Sequence, residues 1–278
     1  MFASLFLADD RHRLVTVVQA FCDGSSARRR LAVASLMAPV EDWGPFSEKW
    51  RGILAESGVA IFHMTEYMAR RTAPYKDWSD VQHTEFGGRL LAAIAETVWF
   101  GFGGIMLMDD YQAIPKPTRM FYVKDNPFAM CANACLAMNA HRLDETGLGG
   151  ESIGYVFEIG DKGLPAFHKA VEGLTRSVRQ YRDEFHIRSI TTMGKQDAAP
   201  LQAADLVAWE LSHLTPNESK PILSHNLQYL RKRFQMAVFY LNQANLAAIA
   251  DGATPEKIAQ FGWEYGARRQ QRKRHGKE

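Results

Sequence analysis

The chain has 278 residues, enough for one large domain or two small ones, and with 46% hydrophobic and 23% charged residues it is neither disordered, collagen-like nor a coiled coil. Its 33 Lys and Arg against 31 Asp and Glu leave a formal net charge of +2, too small for global attraction to nucleic acid or an anionic membrane, so any such attraction has to be local. Three cysteines, Cys22, Cys131 and Cys135, fit no disulfide framework and suit a reducing cytosol. The longest apolar run, Val98 to Met108, is about half of a membrane span, and the N-terminal stretch lacks a basic leader. The expectation is a cytoplasmic protein.

In chain order, Leu14 to Cys22 reads as a buried strand, the polar stretch Asp23 to Arg30 as a turn, and Leu31 to Met37 as its antiparallel partner. Helix-spaced apolar residues follow in Val40 to Ser57 (Trp43, Phe46, Trp50, Leu54) and Ser79 to Thr97 (Phe86, Leu90, Leu91, Ile94). Three further strands, Val98 to Met108, Ser152 to Ile159 and Phe185 to Thr192, are each followed by a helix: Pro127 to Leu143, Leu164 to Arg182 and Pro200 to His213. A hairpin followed by strand–helix alternation implies an α/β fold, a mixed sheet flanked by helices. The expected organisation is an α/β domain over residues 1–214 with a helical insertion at about 39–97, then a helical extension over 215–278 ending in a basic tail.

Several motifs fail in context. Gly150-Glu151-Ser152-Ile153-Gly154 matches a hydrolase nucleophile elbow, but its strand follows the serine instead of preceding it. Gly101, Gly103 and Gly104 lie inside an apolar strand and lead into no helix that would cradle a phosphate. Cys131 and Cys135 are four apart on a helix with no further ligand at zinc spacing, so they read as core residues. His63 and Glu66, in Phe62-His63-Met64-Thr65-Glu66, are a weak pair more often found on a surface.

The carboxylates at element boundaries carry more. Asp23 follows Phe21-Cys22, Glu158 interrupts Tyr155-Val156-Phe157-Glu158-Ile159, and Asp205 lies among small and apolar residues in the helix from Pro200. Each has a plain explanation: Asp23 opening a turn, Glu158 facing solvent, Asp205 complementing a helix dipole. If the strands of Asp23 and Glu158 are neighbours, however, the three converge into a carboxylate cage of the kind that holds Mg²⁺ or Mn²⁺ for phosphodiester hydrolysis.

The stretches Phe-Cys-Asp23, Trp43 to Trp50, Phe62-His63-Met64-Thr65-Glu66, Tyr155-Val156-Phe157-Glu158 and above all Pro200-Leu201-Gln202-Ala203-Ala204-Asp205-Leu206-Val207-Ala208 resemble the bacterial and phage family numbered 3800 among domains of unknown function. The resemblance covers about residues 14 to 215. It implies a ribonuclease H-like fold and a metal-dependent nuclease, with Asp23, Glu158 and Asp205 as catalytic, metal-binding acids. Gly24 stands where that family usually has a glutamate, and the Pro127 to Leu143 helix has no acid, which leaves Asp161, Asp197 or solvent for a fourth ligand. The function expected is Mg²⁺- or Mn²⁺-dependent cleavage of DNA or RNA. The rivals are a catalytically silent nucleic-acid-binding or protein-interaction module on the same fold and a small-molecule metal-dependent hydrolase. Lys195, just before the Asp205 helix, reads either as a phosphate contact near the site or as a solvated loop lysine, and the tail residues Arg268, Arg269, Arg272, Lys273 and Arg274 either as a phosphate clamp or as a solvated, frayed helix end.

Overall fold

The computed structural model describes residues 18–116, 119, 125–177, 181–214, 223–242 and 262–265, with backbone alone for 174–177 and 262–265. Strand β1 (Val18–Ala27) turns through Arg28 and Arg29 into β2 (Arg30–Pro39), paired antiparallel in the register Asp23↔Ala34. The polar stretch expected to be a turn is therefore mostly strand: Asp23 to Ser26 pair with Ala34 to Leu31, and Asp23 lies in the middle of β1 instead of at its end. The turn shrinks to two residues, both left-handed, with φ 46° at Arg28 and 62° at Arg29. Asn-Gly fits such a turn best, and a residue carrying a Cβ costs roughly 1–2 kcal/mol at each position.

After β2 come α1 (Trp43–Glu56), α2 (Met64–Ala69) and α3 (Asp80–Thr97), the helical insertion that the aromatic and leucine spacing implies. Helix α3 opens on a capping box in which the Ser79 hydroxyl accepts from the Gln82 N–H and the Gln82 side chain accepts from the Ser79 N–H. Then come β3 (Phe100–Leu107), α4 (Met108–Ala113), α5 (Pro127–Glu145), β4 (Ile153–Glu158), α6 (Leu164–Ser177), α7 (Tyr181–Glu184), β5 (Ile187–Met193) and α8 (Ala199–Ser212).

The region after Leu223, expected to be helical throughout, corrects that expectation. Helix α9 (His225–Arg231) is followed by β6 (Gln235–Leu241), parallel to β3, and β7 (Gly262–Tyr265), antiparallel to β6. Phe234 to Leu241 is a nearly continuous apolar run, and periodicity alone does not separate a strand buried on both faces from a buried helix. Here Met236 and Val238 enter one core and Ala237, Phe239 and Leu241 the other. Strands on both sides of the boundary expected near residue 214 thus belong to one sheet.

Among the described residues that sheet has seven strands in the order β5-β4-β1-β2-β3-β6-β7, with β2 antiparallel to both β1 and β3, and with β4 parallel to β1 and β5 parallel to β4. Helices α1, α3, α8 and α9 cover one face through Trp50, Leu90, Leu206 and Leu227; α5 and α6 cover the other through Leu136 and Phe167. Gly104 explains how α5 comes so close: a Cβ there would lie 2.8 Å from the Cys131 carbonyl oxygen. The three cysteines are free and buried, as expected of core residues. Among the described residues no helix is long and apolar enough to cross a membrane.

Candidate carboxylate–lysine site

Side chains alternate along β1, so Phe21 packs with the α8 face, Cys22 with the α5 face, and Asp23 again towards α8. Helix α8 lies close over β1 and β2 because the facing residues are small: Ala203 and Ala208 on the helix, Ala32 and Ala34 on the strand. This packing buries Asp23 to 1% exposure and Asp205 to 8%. Two carboxylates buried on one face need a counter-charge. It comes from Lys195, in the loop between β5 and α8, whose Nζ lies 2.8 Å from Asp23 Oδ2 and 3.4 Å from Asp205 Oδ1. The second oxygen of Asp205 accepts the Met64 N–H at 2.9 Å and so ties α8 to the start of α2.

Gln202, one turn before Asp205, holds this arrangement in place. Its Oε1 accepts from the Trp50 indole at 3.0 Å and from the Phe62 N–H at 2.9 Å, and its Nε2 donates to the Lys195 carbonyl at 2.8 Å. One buried amide thereby joins α1, the segment before α2, the Lys195 loop and α8. Gln202→Leu leaves two buried N–H groups without their acceptor, at about 1–3 kcal/mol for each buried orphan, and frees the part-buried Lys195 carbonyl. A loss of roughly 2–4 kcal/mol in urea unfolding is expected, with a change in Trp50 fluorescence; unaltered stability would assign the clamp elsewhere.

Glu158 ends β4, the parallel neighbour of β1, and by alternation shares the face of Val156 and Asp23. Its Oε2 accepts the Gly160 N–H at 2.5 Å. Asp161, three residues on, lies over Gly24: a Cβ on Gly24 would sit 2.9 Å from Asp161 Oδ1 and 2.9 Å from Phe128 Cε2. A larger residue at position 24, such as the glutamate of the resembling family, has no room without displacing Asp161 and Phe128. Asp161 Oδ2 is buried with no hydrogen-bond partner among the described residues.

These charges act on one another. Burial pushes the Asp23 carboxyl well above the usual carboxylate range; the Lys195 charge opposes this, and Asp205 and Asp161 add to it. Burial works against the charged form of Lys195, yet Asp23 and Asp205 together hold its ammonium above the ordinary lysine range. Asp161 is pushed up to about 7, by burial and then by the Glu158 charge, against the pull of Lys195 and the Gly24 N–H.

A carboxyl raised in the folded state binds its proton more tightly there than in the unfolded chain. Its contribution to stability is full below about pH 4 and is lost as the pH rises through about 7. Asp161→Asn is therefore expected to match the parent near pH 4 and to exceed it at pH 8, by roughly 1–3 kcal/mol after solvent screening, in urea unfolding with EDTA present. A pH-independent difference would show that the Asp161 charge is not what sets its environment apart.

Of the residues expected to form the site, Asp23 and Asp205 meet through one ammonium, with Glu158 and Asp161 within electrostatic reach. Lys195, a candidate phosphate contact, is the counter-ion of both acids, with 13% of its side chain exposed. His63 is half-buried directly before Met64, whose N–H binds Asp205, and Glu66 is exposed on α2. Glu210 is buried on α8 and accepts from Asn226, and Asp197 is exposed. The tail residues Arg268, Arg269, Arg272, Lys273 and Arg274 lie outside the described residues.

Carboxylate oxygens are the ligands that Mg²⁺ and Mn²⁺ take, and the acids here outnumber the one lysine among them. In that respect the donor set fits a hard cation. Among the described residues, however, no group of three or more His, Cys, Asp or Glu side chains is arranged to hold a metal ion. Like-charged carboxylates do not crowd together unaided, and the ammonium stands between two of them. Comparison of the chain with protein-family models, with curated proteins and with solved structures returned no match.

Proposed function

We propose that the chain is a metal-dependent phosphodiesterase acting on nucleic acid, built on a ribonuclease H-like scaffold, with Asp23, Asp205 and Glu158, joined by Asp161, as the acids that would hold Mg²⁺ or Mn²⁺. The observation that carries this reading is the surplus of negative charge around one ammonium: two buried acids share Lys195, while Asp161 keeps an unpartnered buried oxygen beside them. The strand order supports the scaffold, since a three-stranded antiparallel meander followed by two strands parallel to the first is the arrangement that the resemblance calls for.

These acids would hold a metal whose chemistry, when bound, would be activation of a water and a counter-charge for the leaving oxygen. The remaining work falls to the chain. Asp23 and Asp205 present oxygens from a central strand and from a helix packed on it, so their spacing is set by the core. Gln202 fixes the backbone of Lys195, which keeps an ammonium beside the acids where a phosphate oxygen would need a cation. Asp161, titrating near neutrality, can hold a proton at Oδ2.

A second reading, a silent module that kept the fold, is favoured by one observation: Lys195 already satisfies Asp23 and Asp205, and Gly24 has no space for a further acid. The two part in one experiment. Single- and double-stranded DNA and RNA are incubated with the protein in Mn²⁺, Mg²⁺ or EDTA, while Mn²⁺ is titrated against thermal stability. The nuclease reading expects cleavage that needs the metal and a melting temperature that climbs with Mn²⁺; no cleavage and an unmoved melting temperature would leave the silent module.

A further inference from the structure

We infer that the tip of the β1–β2 hairpin, Arg28-Arg29-Arg30, is a binding site for the phosphodiester backbone of nucleic acid. The inference rests on the proposed function for the identity of the partner, and on the hairpin itself for the site. Both turn positions are left-handed, where Asn or Gly is favoured, yet both are arginines. The turn thus keeps two guanidinium groups at a backbone cost that a turn with no other task would shed. Arg28 and Arg29 are exposed, and Arg28 has no partner among the described residues.

Two acids stand nearby. Arg29 pairs with Asp109, with 73% and 67% of their side chains exposed, so water screens that pair and a polyanion can displace it. Asp110 lies next to it and acts on Tyr240. Arg30 is committed inward, where its guanidinium donates to the Leu214 carbonyl and anchors the hairpin against the end of α8. The arginines line a concave space of about 340 Å³ together with the apolar Leu31, Met108 and Pro127. Guanidinium groups beside apolar side chains suit a sugar–phosphate chain, since planar forks pair with phosphate oxygens while the apolar lining accepts sugar or base.

Ala27, where the strand ends, is four residues beyond Asp23 on the same strand, ~13 Å away at about 3.3 Å per residue. The space beside the arginines opens on the sheet face that α5 covers, whereas Asp23 and Asp205 are buried on the α8 face, so the tip holds the backbone apart from the carboxylates.

The test is the double substitution Arg28→Asn, Arg29→Gly in the full chain, which installs the preferred turn and removes both guanidinium groups. Binding of single- and double-stranded oligonucleotides is measured in EDTA at several salt concentrations, with poly-glutamate of equal charge as a second probe and thermal unfolding alongside. Each lost phosphate contact removes about 0.9 from the slope of log affinity against log salt for duplex. The variant is expected to bind roughly tenfold to fiftyfold more weakly near 0.1 M salt, with a slope flatter by one to two, and to melt no lower than the parent. Equal affinity and slope for parent and variant would overturn the site while leaving the nuclease reading standing. Equal binding of poly-glutamate would overturn the phosphate assignment, and a parent that binds no oligonucleotide in EDTA would overturn the site whatever the metal experiments give. Reduced binding by the variant upholds the site even where no cleavage is found.

Discussion

Asp205→Asn is expected to abolish Mn²⁺-dependent cleavage, with a loss larger than the ~10–100-fold typical of residues that only support a metal ligand, and to leave the fold in place. The amide retains an oxygen that can accept the Met64 N–H, so the tie between α8 and α2 survives. What it loses is the charge, and with it one half of the attraction for either Lys195 or a divalent cation. The control is Glu210→Gln, five residues on along the same helix, where the carboxylate accepts from Asn226 and faces away from Lys195. That change should alter cleavage by no more than a few-fold, and the Mn²⁺-induced rise in melting temperature should vanish in Asp205→Asn alone. Equal losses in the two variants would mean that α8 contributes through packing and not as a source of ligands.

The parts of this fold that a reader of the sequence can reach are those where periodicity and breakers agree. Helix α8 shows itself by Pro200 at its start and a run of small and apolar residues; β4 and the helices around it are legible for the same reason. Two strands defeat that approach. The second half of β1 is Asp23-Gly24-Ser25-Ser26, turn-forming by composition, and becomes strand because Ala34 to Leu31 pair with it and because Ser25 and Asp23 find partners in Ser212 and Lys195. Strand β6 is an unbroken apolar run whose period carries no information until both faces are known to be covered.

The site divides in the same way. Asp23, Glu158 and Asp205 draw notice because an acid in an apolar setting needs a reason, and topology then makes Asp23 and Glu158 neighbours on adjacent parallel strands. Lys195 gives no such signal. In Gly194-Lys195-Gln196-Asp197 it looks like any loop lysine, and what turns it inward is the hydrogen bond from Gln202 to its carbonyl, a contact between a loop and a helix that no spacing encodes. Gln202 is a polar residue among Leu201, Ala203 and Ala204, but its three partners come from three separate segments.

Lys195→Met follows from that placement and carries the largest stability change expected in this molecule. The lysine is the cation shared by Asp23 and Asp205, and its loss leaves two carboxylates facing each other with 2% and 11% side-chain exposure. Breaking a buried pair by removing one partner costs about 3–5 kcal/mol, which for a chain of this size is a melting temperature lower by roughly 10 °C. Lys195→Arg keeps the charge and should recover much of the loss. The informative arm is the metal. In EDTA the methionine variant is expected to be destabilised by the full amount, whereas Mn²⁺ should restore most of it and bind more tightly than to the parent, because the ammonium no longer competes for the same oxygens. Urea unfolding with EDTA and with Mn²⁺, together with calorimetric Mn²⁺ titration of both proteins, reads this out without any cleavage assay. A variant that is destabilised but indifferent to Mn²⁺ would identify Asp23, Lys195 and Asp205 as a structural ion triad and the chain as a scaffold that uses these acids for folding alone.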